Sequence, residues 1–472
     1  MWDFVIIGAG TAGIPAAVFA AQRGGRVLLL DAADVIGGTM HLANGQVSAA
    51  GTRTQIAKGI VDTPDRHYAE AMQVCRGLAD PGLVRRTVDE APATVNWLLD
   101  NGLTPLPDLP ATGESPGRPA YTTPRYIWGA GRGKDLLAAA MKSLQPEIER
   151  GRVQTVVKAR ATEFLCDGDG AVTGVRANVD GKAVDYSGRH VLLATGGYAM
   201  NPTLFESLIG SPAYAAGSYP TCQGDGLKMV TDIGGSLRGH GLHRAGSGSI
   251  LTADKFPAKV YARFSTTPQT RQPWEIWVDV HGRRFIREDE PATYTRDRAV
   301  AALPKLKYVI VFDQTIFAAA PPGIEGWPRE KIAQHFGTHP MFHQADTLDG
   351  LAEKVGVAGD GLRATVAEYN ASVAGGTDGL GRRHMPLPIA KPPFYGIIHL
   401  GHSATSSIGV NVDTALRVLR QDGSAIPNLY AVGEVMGSGA TLGNAFVPGM
   451  MLTPALALGR WLGMTLLVAG PR

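Results

Sequence analysis

Short apolar runs alternate with amphipathic stretches over the first part of the chain, a pattern that predicts strands alternating with helices. Residues 4–7 (FVII) and 26–32 (RVLLLDA) contain apolar runs typical of buried parallel strands, and the alanine-rich residues 12–22 predict a helix between them. Further helices are predicted over 80–102, which ends at a glycine, and over 133–144, which follows a glycine loop. This region therefore predicts an α/β domain with a mostly parallel sheet.

The pattern changes twice further along the chain. Residues 151–197 alternate apolar strands with polar turns, which predicts a small antiparallel sheet. Over 241–394 aromatic, basic and proline residues mix without a strand–helix rhythm, except for a helix predicted over 360–376. We therefore predict a first domain formed by 1–240 and 395–472, with an inserted α+β capping domain at 241–394.

A glycine-rich turn joins the first predicted strand to the first predicted helix. Gly8, Gly10 and Gly13 have the spacing G-x-G-x-x-G, in which glycines allow a tight turn and let the backbone approach a pyrophosphate at the helix N-terminus. Asp31 ends the second strand, where a carboxylate can accept hydrogen bonds from a ribose. Strand, turn, helix and acid together predict a Rossmann-like dinucleotide-binding domain.

Three later segments extend this prediction. Gly37 and Gly38 (DVIGGT) form a second glycine loop that can press against a cofactor, and 190–199 (HVLLATGGYA) is a strand that ends in glycines. Residues 428–435 (NLYAVGEV) predict a third strand and turn, whose Glu434 can accept hydrogen bonds from a ribityl or ribose chain. In this order, the four segments resemble flavoproteins of the fumarate reductase and 3-ketosteroid dehydrogenase superfamily.

The resemblance implies that the first domain binds FAD and that the capping domain covers the flavin. The residues it implies for FAD binding are Gly8, Gly10, Thr11, Ala12, Gly13, Asp31, Ala32, Gly38, Thr39, Gly45, Val157, Ala194, Thr195, Gly196, Gly433, Glu434 and Leu452. Covalent FAD, which a resemblance to respiratory succinate dehydrogenase would allow, needs a histidine where Thr39 stands, and His41 is two positions away. We therefore predict noncovalent FAD.

Two anion-binding residues of fumarate reductases are missing at the matching positions. In residues 439–460, which resemble a GANRLGGNA-like stretch, Phe446 or a neighbour replaces the arginine. In HSATSSIG (402–409), Thr405 replaces the substrate histidine, with His402 three residues earlier. These losses argue against a fumarate-like dicarboxylate, and an aromatic wall at Phe446 favours a neutral ring.

Two neighbouring residues are candidates for handling the substrate proton. Tyr294 lies in EPATY, which resembles the ESASY-like segment of ketosteroid dehydrogenases, and Arg296 lies in TRDRA, which resembles the TTRDKA-like segment of fumarate reductases. A ketone substrate favours Tyr294 as base or relay, with Arg296 lowering its pKa. The structural alternative is that Tyr294 packs in a core and Arg296 pairs with Asp297 or Asp289.

Other candidates for the active site follow from the same resemblance. The Gly449 N–H, at a helix N-terminus, is expected to bind a ketone oxygen. Tyr198 directly follows ATGG and is expected near the flavin edge, and Trp128 precedes a glycine loop that relatives place near substrate. His402 is a candidate general acid. For Tyr198, Trp128 and His402, the alternative is an ordinary packing role.

Composition narrows the classes of function. A net charge of +3 over 472 residues does not indicate a nucleic-acid partner. The three cysteines are widely spaced, which predicts neither a disulfide framework nor a metal site and favours a reducing, cytoplasmic location. The apolar run 449–470 has Arg460 at its centre and Pro454 near its start, so we predict a buried helix and no membrane span.

The leading hypothesis is an FAD-dependent dehydrogenase that converts a neutral, cyclic ketone to its α,β-unsaturated ketone and passes electrons to a quinone or similar acceptor. One alternative is the reverse direction, an ene-reductase of an activated alkene or unsaturated carboxylic acid. A third is a non-catalytic electron-transfer flavoprotein. A disulfide reductase is excluded because the chain has no redox cysteine pair and no second dinucleotide turn.

Overall fold

Two sheets, each with its own hydrophobic core, organise the chain. The computed structural model describes residues 1–402 and 405–466. In chain order its strands are β1 (Trp2–Ile7), β2 (Val27–Leu30), β3 (Val47–Ser48), β4 (Tyr126–Ile127), β5 (Val153–Val156), β6 (Ala159–Cys166), β7 (Val172–Val179), β8 (Lys182–Leu193), β9 (Leu237–Arg238), β10 (Ser249–Leu251), β11 (Val260–Arg263), β12 (Ile276–Val278), β13 (Lys307–Asp313), β14 (Phe342–Ala345), β15 (Phe394–Leu400), β16 (Gly409–Val410), β17 (Arg417–Leu419) and β18 (Ala425–Ala431).

Helices flank both sheets. The α-helices are α1 (Gly13–Gln22), α2 (Arg53–Ala57), α3 (Pro64–Val74), α4 (Pro81–Asp100), α5 (Gly133–Glu149), α6 (Pro202–Ile209), α7 (Asp225–Asp232), α8 (Thr293–Ala301), α9 (Gln314–Ala319), α10 (Arg329–Ala333), α11 (Leu348–Val355), α12 (Gly359–Gly375), α13 (Gly439–Leu442) and α14 (Thr453–Thr465). Short 3₁₀ helices occur at Gly38–His41, Pro304–Leu306 and Glu434–Met436.

The larger sheet is mostly parallel. Its strands run in the order β17-β18-β8-β1-β2-β5, and all neighbours from β18 to β5 are parallel. The C-terminal part of β8 pairs with β1, whereas its N-terminal part forms an antiparallel extension with β7 and β6. Apolar β1 and β2 are buried on both faces, as central parallel strands must be. The predicted α/β fold, with a small antiparallel sheet, is confirmed.

The second sheet is antiparallel and has the strand order β12-β13-β15-β14. Its core contains Trp277, Tyr308 and Phe342, and helices α11 and α12 belong to the same cluster. Strand β15 (Phe394–Leu400) pairs with β13 along its full length. This strand, which spans the predicted boundary at 394/395, therefore belongs to the second sheet, and the domain boundary itself stays a prediction.

Helix α14 returns the chain to the first domain and packs on α1. A Cβ at Gly459 would lie 2.3 Å from the carbonyl oxygen of Ala12, and one at Gly463 would lie 2.3 Å from that of Ala16. These two glycines therefore allow the helix backbones to touch. No helix within 1–402 or 405–466 is both long and apolar enough to cross a membrane; the end of the apolar run, 467–470, lies outside the described residues.

Candidate active site

The C-terminal ends of the parallel strands open into one groove, the usual ligand position in an open α/β sheet. Most residues predicted to bind the cofactor line it. They are Gly8, Gly10, Thr11, Ala12, Asp31, Ala32, Gly38, Thr39, Ala194, Thr195, Gly196, Gly433, Glu434 and Leu452. Segments from both ends of the chain thus meet around a single elongated space.

Glycines bring the backbone close to this groove. Gly8 has a φ of +108°, and a Cβ there would lie 2.2 Å from the carbonyl oxygen of Ala194. Gly10 and Gly38 face each other, so that a Cβ at Gly38 would lie 3.3 Å from the Cα of Gly10. A side chain at any of these positions would distort or narrow the groove, which fits the close approach of a pyrophosphate.

Two carboxylates, those of Asp31 and Glu434, line the groove. Asp31 accepts hydrogen bonds from Ala9 N (2.7 Å) and Ala33 N (2.8 Å), and burial raises its pKa against the effect of these bonds. Glu434 accepts from Ser406 N at 2.8 Å, and burial likewise raises its pKa. Both side chains are held in place and keep acceptor capacity for sugar hydroxyls.

Two of the predicted glycines lie behind the groove wall. A Cβ at Gly13 would lie 1.9 Å from Gly8 O, so this glycine lets α1 pack against the turn. Gly45 has a φ of +68°, and its missing side chain makes room for the backbone of Arg132. Both support the groove without lining it.

Val157 and His41 also lie off the groove. Val157 follows β5, and the wall beside it is formed by Ala159 and Ala161 of β6. His41 Nε2 lies 3.0 Å from the carbonyl oxygen of Ile36, and its ring stacks on Tyr219, which lines the groove, without lining the groove itself. Noncovalent attachment of the cofactor stays a prediction.

The groove also contains residues that the sequence analysis did not predict. They include Leu42, Asn44, Gln46, Gly217, Tyr219, Thr221, Cys222, Asp225, Thr405 and Met451. Those at 217–222 lie between α6 and α7 in a segment without regular structure, so no periodic signal identifies them. Burial raises the pKa of Cys222 to about 12, which makes its thiol unreactive at neutral pH.

A smaller cavity adjoins the groove and shares Thr405 and Met451 with it. Its other lining residues are Leu242, Arg244, Ser407, Ser438, Leu442, Gly443, Ala445 and Phe446. Phe446 therefore lies next to the cofactor groove, and its role in substrate binding stays a prediction.

Two arginine side chains lie beside the ring of Phe446, where the sequence favours an aromatic wall for a neutral ring. The guanidinium of Arg118 lies 5.6 Å from the ring centroid of Phe446, and that of Arg244 lies 5.9 Å from it. Arg118 belongs to the loop before β4, and Arg244 precedes β10. Neither segment contains the motif in which the sequence analysis looked for an anion-binding arginine.

His402 lies near Arg244. Burial, followed by the charges of Arg263 and Arg244, lowers the pKa of His402 to about 4. Its Nδ1 is buried and has no partner among the residues that the structure describes. The ring is therefore neutral near pH 7, which argues against the candidate role as general acid.

Tyr294 and Arg296 begin helix α8 and have opposite environments. Tyr294 is 37% exposed, and the guanidinium of Arg76 lies 4.2 Å from its ring centroid. Arg296 is 1% exposed. Residues two apart on a helix project about 200° from each other. The side chain of Tyr294 therefore faces solvent, and that of Arg296 faces the protein interior.

Arg296 donates hydrogen bonds inside the protein without pairing with an acid. Its partners are Thr293 Oγ1 (2.9 Å), Thr267 Oγ1 (3.3 Å) and the carbonyl oxygen of Glu290. The alternative ion pair with Asp297 or Asp289 is not formed; these acids pair with other arginines. The Nε of Arg296 is buried and has no partner within 1–402 and 405–466, and burial lowers its pKa.

Gly449 is held in a turn with a φ of +76°. A Cβ there would lie 2.5 Å from Ser48 N, and Tyr121 donates a hydrogen bond to the neighbouring carbonyl oxygen of Pro448 at 2.9 Å. The Gly449 N–H donates no hydrogen bond within the described part of the chain. Gly449 lines neither the groove nor the smaller cavity, and its role in binding a ketone oxygen stays a prediction.

Tyr198 and Trp128 fit packing roles. Tyr198 is fully buried, and its hydroxyl accepts a hydrogen bond from Ile408 N at 3.3 Å. Trp128 packs edge-on against Tyr126, with ring centroids 4.9 Å apart. Neither side chain lines the groove or the smaller cavity.

Comparisons with known proteins agree with this geometry. A family model described as FAD binding domain matches residues 3–446. "Fumarate reductase (cytochrome)" of Shewanella frigidimarina is 29% identical over 471 residues, which cover 98% of this chain and 76% of that protein. "4-oxocyclohexanecarboxylate 2-dehydrogenase" of Sinomonas cyclohexanicum is 26% identical over 555 residues, covering 97% of this chain and 93% of that one.

A solved structure supports the same fold. The 3-ketosteroid Δ1-dehydrogenase of Sterolibacterium denitrificans superposes with a TM-score of 0.70 at 19% identity, covering 98% of this chain and 99% of the other. At that identity the likeness concerns the fold alone. Together with the family match, these comparisons confirm the resemblance and the FAD prediction that the four sequence segments support.

Proposed function

The chain belongs to the FAD binding domain family, and on that premise we propose that it is a flavin-dependent reductase that saturates a carbon–carbon double bond next to an electron-withdrawing group. FAD is the cofactor of this family. The groove fits it through the glycine turn, the two carboxylates, and a buried Thr195 Oγ1 that has no partner among the described residues. Bound FAD supplies the two-electron step, exchanging a hydride with one carbon of the double bond.

The protein's part in cofactor binding follows from the groove. The backbone at Gly8 and Gly10, at the start of α1, is suited to the pyrophosphate. Asp31 and Glu434 accept hydrogen bonds from hydroxyls on the two sides of it. An external electron donor must then reduce the cofactor once per turnover, and we expect a quinol or a reduced redox protein in that role.

Arg296 is the residue that we propose to deliver the proton to the neighbouring carbon. A guanidinium is protonated at neutral pH, so it can donate a proton to a developing carbanion but is a poor base towards a ketone. Burial lowers the pKa of Arg296, which favours this transfer. The inward position of Arg296, opposite an outward Tyr294, is the single observation that carries the reductive direction.

Ketone dehydrogenation is the second candidate function. The free N–H of Gly449 favours it, because this group can stabilise a developing enolate oxygen. The similarity to a protein named for the dehydrogenation of an oxocyclohexane carboxylate also supports it. In this case Tyr294 would have to turn inward to act as the base.

Anaerobic titration of the FAD-loaded protein separates the candidates. We expect cyclohexenone or crotonate to reoxidise the dithionite-reduced flavin, and cyclohexanone to leave the oxidised flavin unchanged. Bleaching of the oxidised flavin by cyclohexanone, without reoxidation by the alkenes, would support the dehydrogenase. A flavin that responds to neither class would contradict both candidates and support electron transfer alone.

Two variants test the proton donor. Arg296→Gln is expected to slow alkene-dependent reoxidation by about 10²- to 10⁴-fold, the usual contribution of general acid catalysis, with FAD still bound. Tyr294→Phe is expected to leave the rate unchanged. The reverse pattern, a large loss in Tyr294→Phe and none in Arg296→Gln, would remove Arg296 from the mechanism.

A further inference from the structure

Two arginines from different parts of the fold meet at the ring of Phe446. Arg118 reaches it from the loop before β4 in the first domain, and Arg244 reaches it from the segment that leads into β10. An apolar ring with cations beside it suits a ligand that has a hydrocarbon part and an anionic end. Phe446 lines the cavity that adjoins the cofactor groove.

Among the described residues, Arg244 is the one of these two cations that is paired with an acid. Asp297 forms an ion pair with Arg244, accepting a hydrogen bond from its Nε at 3.0 Å, and also accepts one from Ser247 N at 3.1 Å. Arg118 and Arg263 form no ion pair with a carboxylate anywhere in the described ranges; the hydrogen bond found there for the Arg263 side chain goes to Ser249 Oγ, at 3.5 Å.

Like charges are therefore close together beside Phe446, in the cleft between the first domain and β11. Burial first, then Arg244 and Arg263, lower the pKa of Arg118 from its ordinary value, while Asp297 and Glu325 oppose them. An anion between these guanidiniums would relieve the repulsion and accept charge-assisted hydrogen bonds, which are stronger than neutral ones.

We infer that Arg118, together with Arg244 and Arg263, binds a carboxylate of the substrate, and that Arg118 is the residue that determines this specificity. The inference rests on the proposed function in one respect: the carboxylate belongs to the molecule whose double bond is reduced. The planar guanidinium of arginine matches the two oxygens of a carboxylate. These residues differ from the two positions, Phe446 and Thr405, at which the resemblance predicts anion binding and at which the chain has lost it.

Because Arg118 belongs to the first domain and Arg263 to β11 near the second sheet, one bound carboxylate would contact both sides of the cleft. The hydrocarbon part of the same molecule would lie on Phe446, towards Thr405 and Met451, which the cavity shares with the groove. The anchor would thus orient the double bond relative to the cofactor.

Matched acid and amide probes test the anchor without requiring turnover. We would titrate oxidised, FAD-loaded protein with crotonate and crotonamide, and with cinnamate and cinnamamide, following the flavin absorbance spectrum. The acids are expected to bind more tightly than the amides. Arg118→Gln should raise the Kd of the acids about tenfold or more, as the loss of a charged hydrogen bond implies, and leave the Kd of the amides unchanged.

The control is Arg283→Gln, which removes an exposed arginine that makes no side-chain ion pair in the described residues, and it should change neither Kd. Arg263→Gln is a second variant of the carboxylate site and should raise the Kd of the acids in the same way. Higher salt should weaken acid binding in the wild type and have less effect in Arg118→Gln.

Equal binding of acids and amides, or an equal loss for both in Arg118→Gln, would overturn the inference. Its failure is distinguishable from failure of the proposed function. If neutral alkenes reoxidise the flavin but acids bind no better than amides, the anchor is wrong and the reductase stands. If acids bind through Arg118 but no alkene reoxidises the flavin, the anchor stands and the reductase is wrong.

Discussion

At the scale of single residues, a buried ion cluster supports the loop that carries Arg118. Arg125, which is 1% exposed, donates to Asp62 at 2.8 and 2.9 Å and to Glu70 at 2.8 Å. Glu70 also accepts from Thr122 N and Oγ1 at 2.9 and 2.7 Å. Each member is therefore satisfied, which a buried charge requires.

Glu70 links this cluster to acid stability. Burial raises its pKa, but the hydrogen bonds from Thr122 and Arg125 outweigh burial, so its pKa in the folded protein lies below 4.5. The contribution of Glu70 to stability is therefore complete at pH values above its pKa in the unfolded chain. It is lost as pH falls through its pKa in the folded protein. We expect Glu70→Gln to lower the free energy of unfolding by about 1–3 kcal/mol at pH 7, with a smaller difference at pH 4.

Urea unfolding at the two pH values measures this difference. Glu114→Gln is the control, because Glu114 is exposed and its side chain makes no ion pair in the described residues; it should unfold like the wild type at both pH values. A difference for Glu70→Gln that does not shrink at low pH would show that the carboxylate charge is not what stabilises the loop.

At the scale of elements, the contact between α14 and α1 connects packing to cofactor binding. Gly459 touches the carbonyl of Ala12, and Ala12 lines the groove. We expect Gly459→Ala to cost about 1–3 kcal/mol of stability through overpacking and to weaken FAD retention, since the displaced turn is the one that faces the pyrophosphate.

Gly375→Ala is the matched control within a helix, because a Cβ there would meet nothing within 4 Å. Thermal unfolding of both variants, with and without added FAD, and the rate of FAD loss on dilution measure the two effects. Equal behaviour of the two variants would contradict a role for close helix packing in holding the cofactor.

Some of the helices could be predicted from sequence, whereas others, among them α3, α8 and α11, could not. The predicted 80–102 and 360–376 correspond to α4 (Pro81–Asp100) and α12 (Gly359–Gly375), because glycine or capping residues mark their ends. The predicted 133–144 stops short of Glu149, since α5 continues through Pro146. The pairing of strand β15 with the second sheet could not be predicted, because its partners β13 and β14 precede it by long stretches of chain.

At the scale of the whole molecule, sequence could predict the groove but not the charge of the cleft. The segments that line the groove carry local signals, namely a strand followed by glycines or by an acid. These signals can be recognised in a single sequence. Arg118, Arg244 and Arg263 are far apart in sequence and follow no motif, so only the folded chain brings them together. For the same reason, Tyr294 and Arg296 could not be ranked before the orientation of α8 was known.

Arg76 connects the two sides of the cleft. It donates a hydrogen bond to Asn444 Oδ1 at 2.6 Å and lies over the ring of Tyr294 in α8. A cation–π contact at an exposed site is worth about 0.5–1 kcal/mol, so its loss should increase opening of the cleft about two- to fivefold. We expect Tyr294→Ala to accelerate amide hydrogen exchange in α8, measured by mass spectrometry.

Tyr294→Phe keeps the aromatic ring and should exchange like the wild type, which makes it the control. Faster exchange in both variants would mean that the hydroxyl, and not the ring, matters. Unchanged exchange in Tyr294→Ala would show that Arg76 does not hold the two sides together.

The return of β18 and α14 to the first sheet bears on how the protein acquires its flavin. The glycine turn after β1 is made early in synthesis, but Glu434 and Leu452 on the opposite side are made late. A nascent chain that has not yet reached these residues therefore lacks Gly433, Glu434 and Leu452 of the groove, even when the preceding strands can already fold. We therefore expect flavin uptake to follow the synthesis of residues 433–455, and a shortage of the vitamin to leave folded but colourless protein.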